Sequence, residues 1–416
     1  EQAEYARTLG LDLIISDHHH VGEVLPSAVA VINPKRNDCS YPEQTLCAAG
    51  IAYKIAAALL ERRTPSQPEI LADNFLDLVA LGTVADLAPL RGENRAMVYT
   101  GLKQMNANPR PGVAALLRAA GCTGPVSART IGFQLGPRLN AAGRLGSAMD
   151  AFRLLATQKR EEAAHLALEL HERNRERQAL TQKISEQALK IALEEAGEKP
   201  VILLAEHVGF HSGVVGLAAS RLSEEWGVPA LVAQSKDGLI TGSARSAEGF
   251  HIAEALLQCA DLLLQHGGHA AAAGFTLEQE NWARFVGRMR DIATERPKSP
   301  AQPLDIDASV RSSDLTSRLA EQLEYFEPYG YKNPAPLLLW REAEVSEKRA
   351  VGKNNAHLKL RMRADNGSQL DAIGFWLGDR LADLPVKVDL VFAFEKDEWQ
   401  GRERQQLNLK DVRAAV

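Results

Sequence analysis

A short apolar run that ends in a cluster of polar residues is the feature that most constrains the fold of this chain. The run from Leu11 to Ile15 follows Gly10, is mostly apolar, and leads through Ser16 into Asp17-His18-His19-His20. Such a run is typical of a short buried parallel strand. Because ligands collect at the carboxyl ends of strands in open α/β sheets, we expect one acid and three imidazoles at a binding edge.

The chemistry of these side chains limits which metal ions they could bind. Imidazole together with carboxylate suits Mn²⁺ or Zn²⁺, whereas Ca²⁺ prefers carboxylate and carbonyl oxygens. A histidine-rich surface turn is the alternative, and three adjacent histidines do not by themselves decide between the two. A metal centre that includes Asp17 is therefore one of two hypotheses at this point.

The overall composition bounds the classes of protein to consider. A chain of 416 residues is too long for one ordinary core, so we expect two or three domains. No run approaches the roughly 18 apolar residues that span a bilayer, which predicts a soluble, cytoplasmic protein. Four cysteines without a Cys-x-x-Cys pair predict reduced thiols. The net charge of -5 means that any phosphate-binding surface must be local.

The first half of the chain divides into an α/β region and a helix. Residues 1–155 show a second short strand at Val29–Ile32 and helical periodicity over Gly50–Leu60 and Phe75–Leu81, with a helix end at Gly82. Residues 156–197 are predicted to form a connecting helix, because Gly and Pro are absent between Gly146 and Gly197. Its centre, Glu172–Arg177, is polar all round, which indicates a helix that bridges two domains through solvent and arginines that form solvated salt bridges.

Residues 198–297 read as a second α/β domain, with strands predicted at Val201–Ala205, Pro229–Ala233 and Leu239–Ser246. The glycine-rich stretch 207–216 either lets backbone N–H groups approach an anion or is a simple connection. Gly267-Gly268-His269 either presents the histidine closely to a ligand or forms a helix-to-helix turn.

Residues 302–416 are rich in strand patterns. From His357 to Arg363 basic and apolar residues alternate, which places His357, Lys359, Arg361 and Arg363 on one face of a strand. Several such strands predict a small barrel of the OB type, whose groove binds single strands by charge and base stacking. An ordinary solvated face is the alternative for the four basic residues.

Several of these motifs together resemble the DHH phosphoesterase family. Asp17-His18-His19 matches its signature, Gly82–Asp86 is similar to its later metal-binding acid, and Pro137–Arg144 with Gly267–Gly274 resembles its exonuclease branch. The likeness extends over nearly all of the chain. It implies an α/β multidomain fold with an incomplete DHH-type parallel-sheet domain, a long linking helix, a DHHA1-like second α/β domain and a C-terminal OB-like β-barrel.

The resemblance also implies an activity. That activity is 5′ to 3′ exonuclease digestion of single-stranded DNA in recombination and repair, by hydrolysis with two Mn²⁺ or Mg²⁺ ions. By the family pattern His18 and Asp86 bind metal, Asp17 orients or ligates, and His19 contacts the scissile phosphate. The substrate-binding residues would be Arg138, Arg144, Ser243, Arg245, Gly267, Gly268 and His269. Besides single-stranded DNA, the expected partners are a single-stranded-DNA-binding protein and a helicase.

Two other functions share much of this pattern. A DHH phosphodiesterase of short oligonucleotides or signalling nucleotides would ordinarily lack the barrel, and a non-catalytic DNA-binding scaffold would lack the acids. The family pattern places two acidic motifs ahead of Asp17, but here that stretch offers only Glu1, Glu4 and Asp12 outside any such motif. We therefore expect the chain to begin inside a domain, as a fragment of a longer protein that is inactive alone, with a natural truncation as the alternative.

Overall fold

A computed structural model describes residues 1–22, 24–62, 72–295, 303–399 and 402–415. These residues form two compact units, one of Glu1–Gly136 with Leu304–Val416 and one of Pro137–Pro303. The predicted domain limits at residues 297, 302 and 416 lie outside the described residues, and the domain boundaries stay a prediction. Within the described ranges, no helix is both long and apolar enough to cross a bilayer.

The first unit opens with a parallel sheet of two strands, Ile14–Ser16 and Ala30–Ile32, in which Ile15 lies opposite Val31. The predicted strand and its parallel pairing are therefore present. The expectation that the strand is buried is wrong, because the Ile14 side chain is 64% exposed. No third strand of the described chain pairs with these two, and Ile15, Ala30 and Val31 are half-buried.

Helices follow the two strands in the first unit. Their bounds, with that of the helix ahead of the first strand, are Gln2–Thr8, Ala48–Glu61, Leu76–Ala85, Gly92–Ala107, Pro111–Ala119, Ala128–Thr130 and the π-helical turn Ile131–Leu135. The helix predicted to end at Gly82 continues to Ala85. A Cβ at residue 82 would lie 2.5 Å from the Cβ of Ala49, so this glycine allows two helices to touch. Asp86 follows the helix directly and its N–H donates to the Gly82 carbonyl at 2.9 Å.

A closed five-stranded barrel forms the rest of the first unit. Its strands are Leu338–Val351, His357–Arg363, Gln369–Gly374, Lys387–Trp399 and Arg402–Ala414, and the short strand Ala308–Val310 pairs with the first of them. A helix, Ser317–Glu324, precedes the barrel. Leu358, Leu360 and Met362 are buried as their alternation predicts. The predicted OB-like barrel is thus confirmed.

The second unit contains a five-stranded sheet. Its strands, in spatial order, are Leu203–Glu206, Ala230–Lys236, Leu239–Arg245, Ala272–Glu278 and Gln265–Gly268. The helices of this unit are Gly136–Leu145, Met149–Ala156, Arg160–Ala196, Ser212–Trp226, Ile252–Leu257 and Trp282–Thr294. The last two strands of the sheet form a hairpin. A helix-to-helix turn at Gly267-Gly268 is therefore wrong.

The connecting helix is one element of 37 residues, Arg160–Ala196. The expectation that its centre bridges through solvent is wrong, because Asn174 is only 2% exposed. Leu170 is buried ahead of that centre, and Ile184 and Ala188 pack into the core under the sheet after it. The polar centre is flanked on both sides by apolar residues at helical spacing, so the helix forms a wall of the second unit.

Candidate metal centre and phosphate-binding site

The end of the first strand folds into a tight turn around one carboxylate. The Oδ1 atom of Asp17 accepts hydrogen bonds from the backbone N–H groups of His18 at 2.7 Å and His19 at 3.2 Å. The same oxygen lies 2.7 Å from Nδ1 of the His19 ring. Ligand atoms of all three residues lie within 4.8 Å of one another. The turn thus brings one carboxylate and two imidazoles together.

His18 has an unusual environment within this turn. Its Nε2 atom lies 3.8 Å from Oδ2 of Asp86, and its Nδ1 atom is buried with no hydrogen-bond partner among the described residues. A buried polar atom without a partner is costly, and an ion or a water is the usual explanation. Imidazole nitrogen beside two carboxylates suits Mn²⁺. His18, Asp17 and Asp86 therefore fit a divalent metal ion.

The charge state of Asp17 fits this role. Partial burial raises the pKa of Asp17, but hydrogen bonds from the His19 ring and from the backbone of His19 and His18 lower it more, so the pKa lies below its usual value. A carboxylate must be ionised to bind a metal ion. Asp17 therefore meets this requirement at neutral pH. The His19 side chain is mostly exposed and so remains accessible to a substrate.

A second group of predicted site residues lies in the second unit, around Arg245. Its Nε donates to Ser220 Oγ and its Nη1 to the Ala244 carbonyl, both at 2.9 Å, while Nη2 makes no hydrogen bond to any described residue. A Cβ at Gly216 would lie 3.0 Å from that Nη2 and 3.2 Å from Ser243 Oγ. The glycine therefore lets the helix backbone approach two groups that can bind an anion.

Two more arginines carry charge that the described carboxylates do not neutralise. Burial lowers the pKa of Arg245 and of Arg177, and the positive charge of Arg144 lowers both further. Arg144 itself donates from Nη1 to the Gly213 carbonyl at 3.2 Å. Since none of the three forms an ion pair with a described acid, an anion bound among them would relieve their mutual repulsion.

The sequence argument missed Arg177 as a member of this cluster. The prediction of solvated salt bridges holds for Arg175, which pairs with Glu172 at 3.2 Å. It is wrong for Arg177, whose Nη2 donates instead to Oδ1 of the buried Asn174 at 2.8 Å. The buried asparagine three residues earlier is the only local sign, and its burial is visible only in the folded chain.

The pairing of the strands places the other predicted substrate-binding residues near one another. Ser243 and Gly267 both lie opposite Gly274, and Arg245 lies opposite Ala272, so these positions share one end of the sheet. Gly268 has φ +149, and a Cβ there would lie 2.4 Å from the Ala272 carbonyl. His269 follows in the exposed turn of the hairpin.

Arg138 is buried against the long helix. It is 7% exposed, and its Nε lies 3.3 Å from Nδ1 of His171 on that helix. Its role in substrate binding stays a prediction.

The basic face of the barrel is partly neutralised. Arg361 pairs with Glu347 at 3.0 Å and Arg363 with Glu344 at 3.0 Å, so the alternative of a solvated face fits both arginines. Lys359 has no ion pair with the described acids.

His357 packs against two aromatic residues that follow a neighbouring strand. Its ring centroid lies 5.3 Å from that of Phe375 and 5.1 Å from that of Trp376, with edge-to-face geometry. Trp376 is 75% exposed. Two adjacent aromatic residues just after a strand were the signal available in the sequence.

Family models match three parts of the chain. Residues 1–83 match the DHH family, N-terminal domain, residues 180–295 match the DHHA1 domain, and residues 306–411 match the RecJ OB domain. A DHH-type domain, a DHHA1 domain and an OB barrel in one chain define the class of this protein.

Individual relatives narrow that class. The chain is 36% identical to the single-stranded-DNA-specific exonuclease RecJ of Bacillus subtilis, over 99% of this chain and 52% of the relative. It is 34% identical to RecJ of Salmonella typhimurium, over 98% of this chain and 74% of the relative. The chain therefore belongs to the RecJ family, and it spans between half and three quarters of the length of these two relatives.

Solved structures agree with this assignment. The crystal structure of RecJ in complex with Mn²⁺ from Thermus thermophilus matches with a TM-score of 0.83 at 33% identity, over all of this chain and 60% of that one. The complex of the same protein with Mg²⁺ matches with a TM-score of 0.79. Both neighbours were solved with a divalent cation of the kind that the Asp17–His18 turn fits.

Proposed function

We propose that this protein is a metal-dependent exonuclease that hydrolyses single-stranded DNA from its 5′ end. The His18 ring carries the proposal, because its buried Nδ1 lacks a partner within the described chain and its Nε2 lies 3.8 Å from Oδ2 of Asp86. Family membership supports the substrate, because the relatives are named single-stranded-DNA-specific exonucleases. The 5′ polarity is part of the proposal and follows from the resemblance of the motifs.

The residues of the metal-binding turn have different roles. His18, Asp17 and Asp86 would hold Mn²⁺, and the ion would supply activation of a water molecule for attack on the phosphate. Asp17 also fixes the His19 ring through the contact at 2.7 Å. The exposed His19 then donates a hydrogen bond to the scissile phosphate. The distance between ring and carboxylate thus sets the position of a catalytic donor.

The arginines around Arg245 recognise the 5′ end of the DNA strand. Arg245 and Arg144 bind the terminal 5′ phosphate, with Ser243 donating its hydroxyl. Charge-assisted hydrogen bonds from guanidinium groups suit a phosphate, and Nη2 of Arg245 and Oγ of Ser243 both lie beside Gly216. The hairpin at Gly267, Gly268 and His269 lines the same end of the sheet.

The barrel adds affinity for longer strands. His357, Phe375 and Trp376 stack on bases, and Lys359 contacts the backbone. Single-stranded DNA is the substrate partner, while a single-stranded-DNA-binding protein and a helicase remain predicted partners in the cytoplasm.

A binding scaffold without catalysis is the second candidate. Two divalent ions need bridging carboxylates, and within the described residues only Asp17 and Asp86 lie next to His18. We therefore propose that the 416-residue chain holds at most one Mn²⁺ ion and cleaves DNA very slowly, whereas a chain with the family's acidic motifs ahead of Asp17 is active.

The test measures Mn²⁺ binding by calorimetry and release of nucleotides from a 3′-labelled single strand. His18→Ala should abolish both, while His165→Ala, on the exposed face of the long helix, should change neither. Strand binding without cleavage in both the 416-residue and the longer chain would favour the scaffold. Rapid cleavage by the 416-residue chain would show that its metal site is more complete than we propose.

A further inference from the structure

An apolar groove of about 310 Å³ lies within the first unit, next to the end of the helix that leads to Asp86. Three segments line it, namely 84–90 after the helix that leads to Asp86, 128–133 at the π-helical turn, and 329–335 ahead of the barrel. Leu87, next in sequence to Asp86, forms part of its wall. The groove is therefore lined by the residue that directly follows a proposed metal ligand.

The backbone around the groove is irregular in two places. Phe133 lies on the π-helical turn between Ile131 and Leu135, which are both fully buried, yet it is itself 74% exposed. Leu87 has φ +55, a left-handed conformation that is costly for leucine, and it is also largely exposed. Both π-helical turns and strained residues are frequent at functional sites. Here they expose apolar side chains into one groove.

The rim of the groove carries positive charge. Arg129 lines the groove, is exposed, and forms no ion pair with the acids of the described chain. Lys332 lies with Nζ 5.6 Å from the ring centroid of Tyr331, a second exposed aromatic wall. Aromatic walls beneath cations are the combination that binds single-stranded nucleic acid, through base stacking and backbone phosphates.

The size and fixed position of the groove select one occupant. A volume of about 310 Å³ is at the lower end of the range for small-molecule pockets, so it suits one ring system rather than a stretch of polypeptide. The close contact between the segments fixes its shape, because Leu90 N–H donates to the Tyr331 carbonyl at 2.8 Å and Arg91 Nε to the Lys332 carbonyl at 2.6 Å.

We propose that this groove binds one nucleobase of the single strand, stacked on Phe133 and Tyr331, while Arg129 contacts a neighbouring backbone phosphate. The inference rests on the proposed function, since it assumes that a single strand lies at the metal centre. The stacked base fixes the register of the strand relative to Asp86. Base identity matters little to such a site, because every base has a flat face to stack.

The experiment measures binding in EDTA, so that it does not depend on metal loading. A 5′-phosphorylated single strand carries one abasic position that is moved along the strand one nucleotide at a time. We expect the wild-type affinity to fall about 5- to 150-fold at one position and to change little elsewhere, the range for loss of one base–aromatic stack. In the Phe133→Ala variant the position-dependent loss should disappear. This variant should already bind the intact strand as weakly as the wild type binds the strand that lacks the stacked base.

Conservative variants separate stacking from folding. Phe133→Trp should keep the position dependence and Phe133→Leu should lose it, although both preserve an apolar side chain on an exposed position. Tyr99→Ala is the matched control, since Tyr99 is exposed to about the same extent as Tyr331 but lies outside this groove. It should bind the intact and abasic strands as the wild type does.

The outcomes distinguish this inference from the proposed function. Wild-type protein that binds intact strands with no position dependence would overturn the inference alone. Wild-type protein that does not bind single strands would overturn the proposed function, and the inference with it. Position dependence that survives in Phe133→Ala would show that the base is held elsewhere.

Discussion

Substituting Arg245 by alanine tests how the second unit recognises the 5′ end of single-stranded DNA. Two edges of its guanidinium are already engaged, Nε by Ser220 and Nη1 by the Ala244 carbonyl. The Nη2 edge lies beside Gly216 and makes no hydrogen bond to a described residue. The internal bonds hold the group in one orientation, so little rotamer freedom remains to be lost when phosphate binds.

The size of the effect follows from the number of bonds that remain. The free edge provides one strong charge-assisted hydrogen bond to a phosphate oxygen, which contributes about 1.5–3 kcal/mol. A strand with a 5′ hydroxyl lacks that oxygen. Arg245→Ala should therefore reduce the preference for a 5′ phosphate by about 10- to 150-fold in Kd.

Binding of matched 5′-phosphate and 5′-hydroxyl strands, measured by fluorescence anisotropy in EDTA, provides the readout. Arg175→Ala removes the same charge from an exposed position that pairs with Glu172, and should leave the preference unchanged. Arg245→Lys should recover only part of it, because an ammonium lacks the planar fork. An equal loss of affinity for both strand ends would refute a role of Arg245 in reading the terminal phosphate.

Three further predictions concern other parts of the chain. Lys359→Glu should flatten the salt dependence of binding to a long strand by about one slope unit in a titration against salt, whereas Arg361→Glu should not, since Arg361 is already paired. Calorimetry should detect at most one Mn²⁺ in the 416-residue chain, and none in Asp86→Ala. Burial raises the pKa of Cys259 to about 11, so alkylation followed by mass spectrometry at pH 8 should modify it far more slowly than the partly exposed Cys39 and should accelerate as the pH rises.

Each of these predictions has a clear contrary result. An equal change of salt slope in both barrel variants would show that the ion pair of Arg361 opens when DNA binds. Two tightly bound Mn²⁺ ions would mean that further ligands complete the site. Rapid alkylation of Cys259 at pH 8 would mean that its surroundings open to solvent far more often than its full burial indicates.

Local patterns in the sequence predicted those features that depend on local periodicity. The strand ahead of Asp17, the long helix and the alternation of His357–Arg363 all follow from the spacing of apolar residues. The burial of the alternating strand followed as well, but that of the other two elements did not. Ile14 is exposed and Asn174 is buried, because burial depends on which other elements pack against a residue, and spacing along the chain does not show that.

Among the candidate site residues too, the local sequence predicted some features, while others depend on contacts made only in the folded chain. Asp17 and His18 were found because they are adjacent in sequence, whereas the neutralisation of Arg361 depends on Glu347, which lies on another strand. Periodicity identifies the face on which a residue lies but not the residue opposite. The π-helical turn that exposes Phe133 has no signature in the composition of its five residues.

The long helix has a consequence for how the second unit opens. At about 1.5 Å per residue its 37 residues extend roughly 55 Å, and it is held by buried side chains on both sides of Asn174. Because the helix is anchored along its whole length, the backbone amides at its centre cannot exchange through local unfolding. Hydrogen exchange around Arg177 should therefore be as slow as global unfolding of that unit, and the guanidinium cluster would be lost in one cooperative step rather than by fraying.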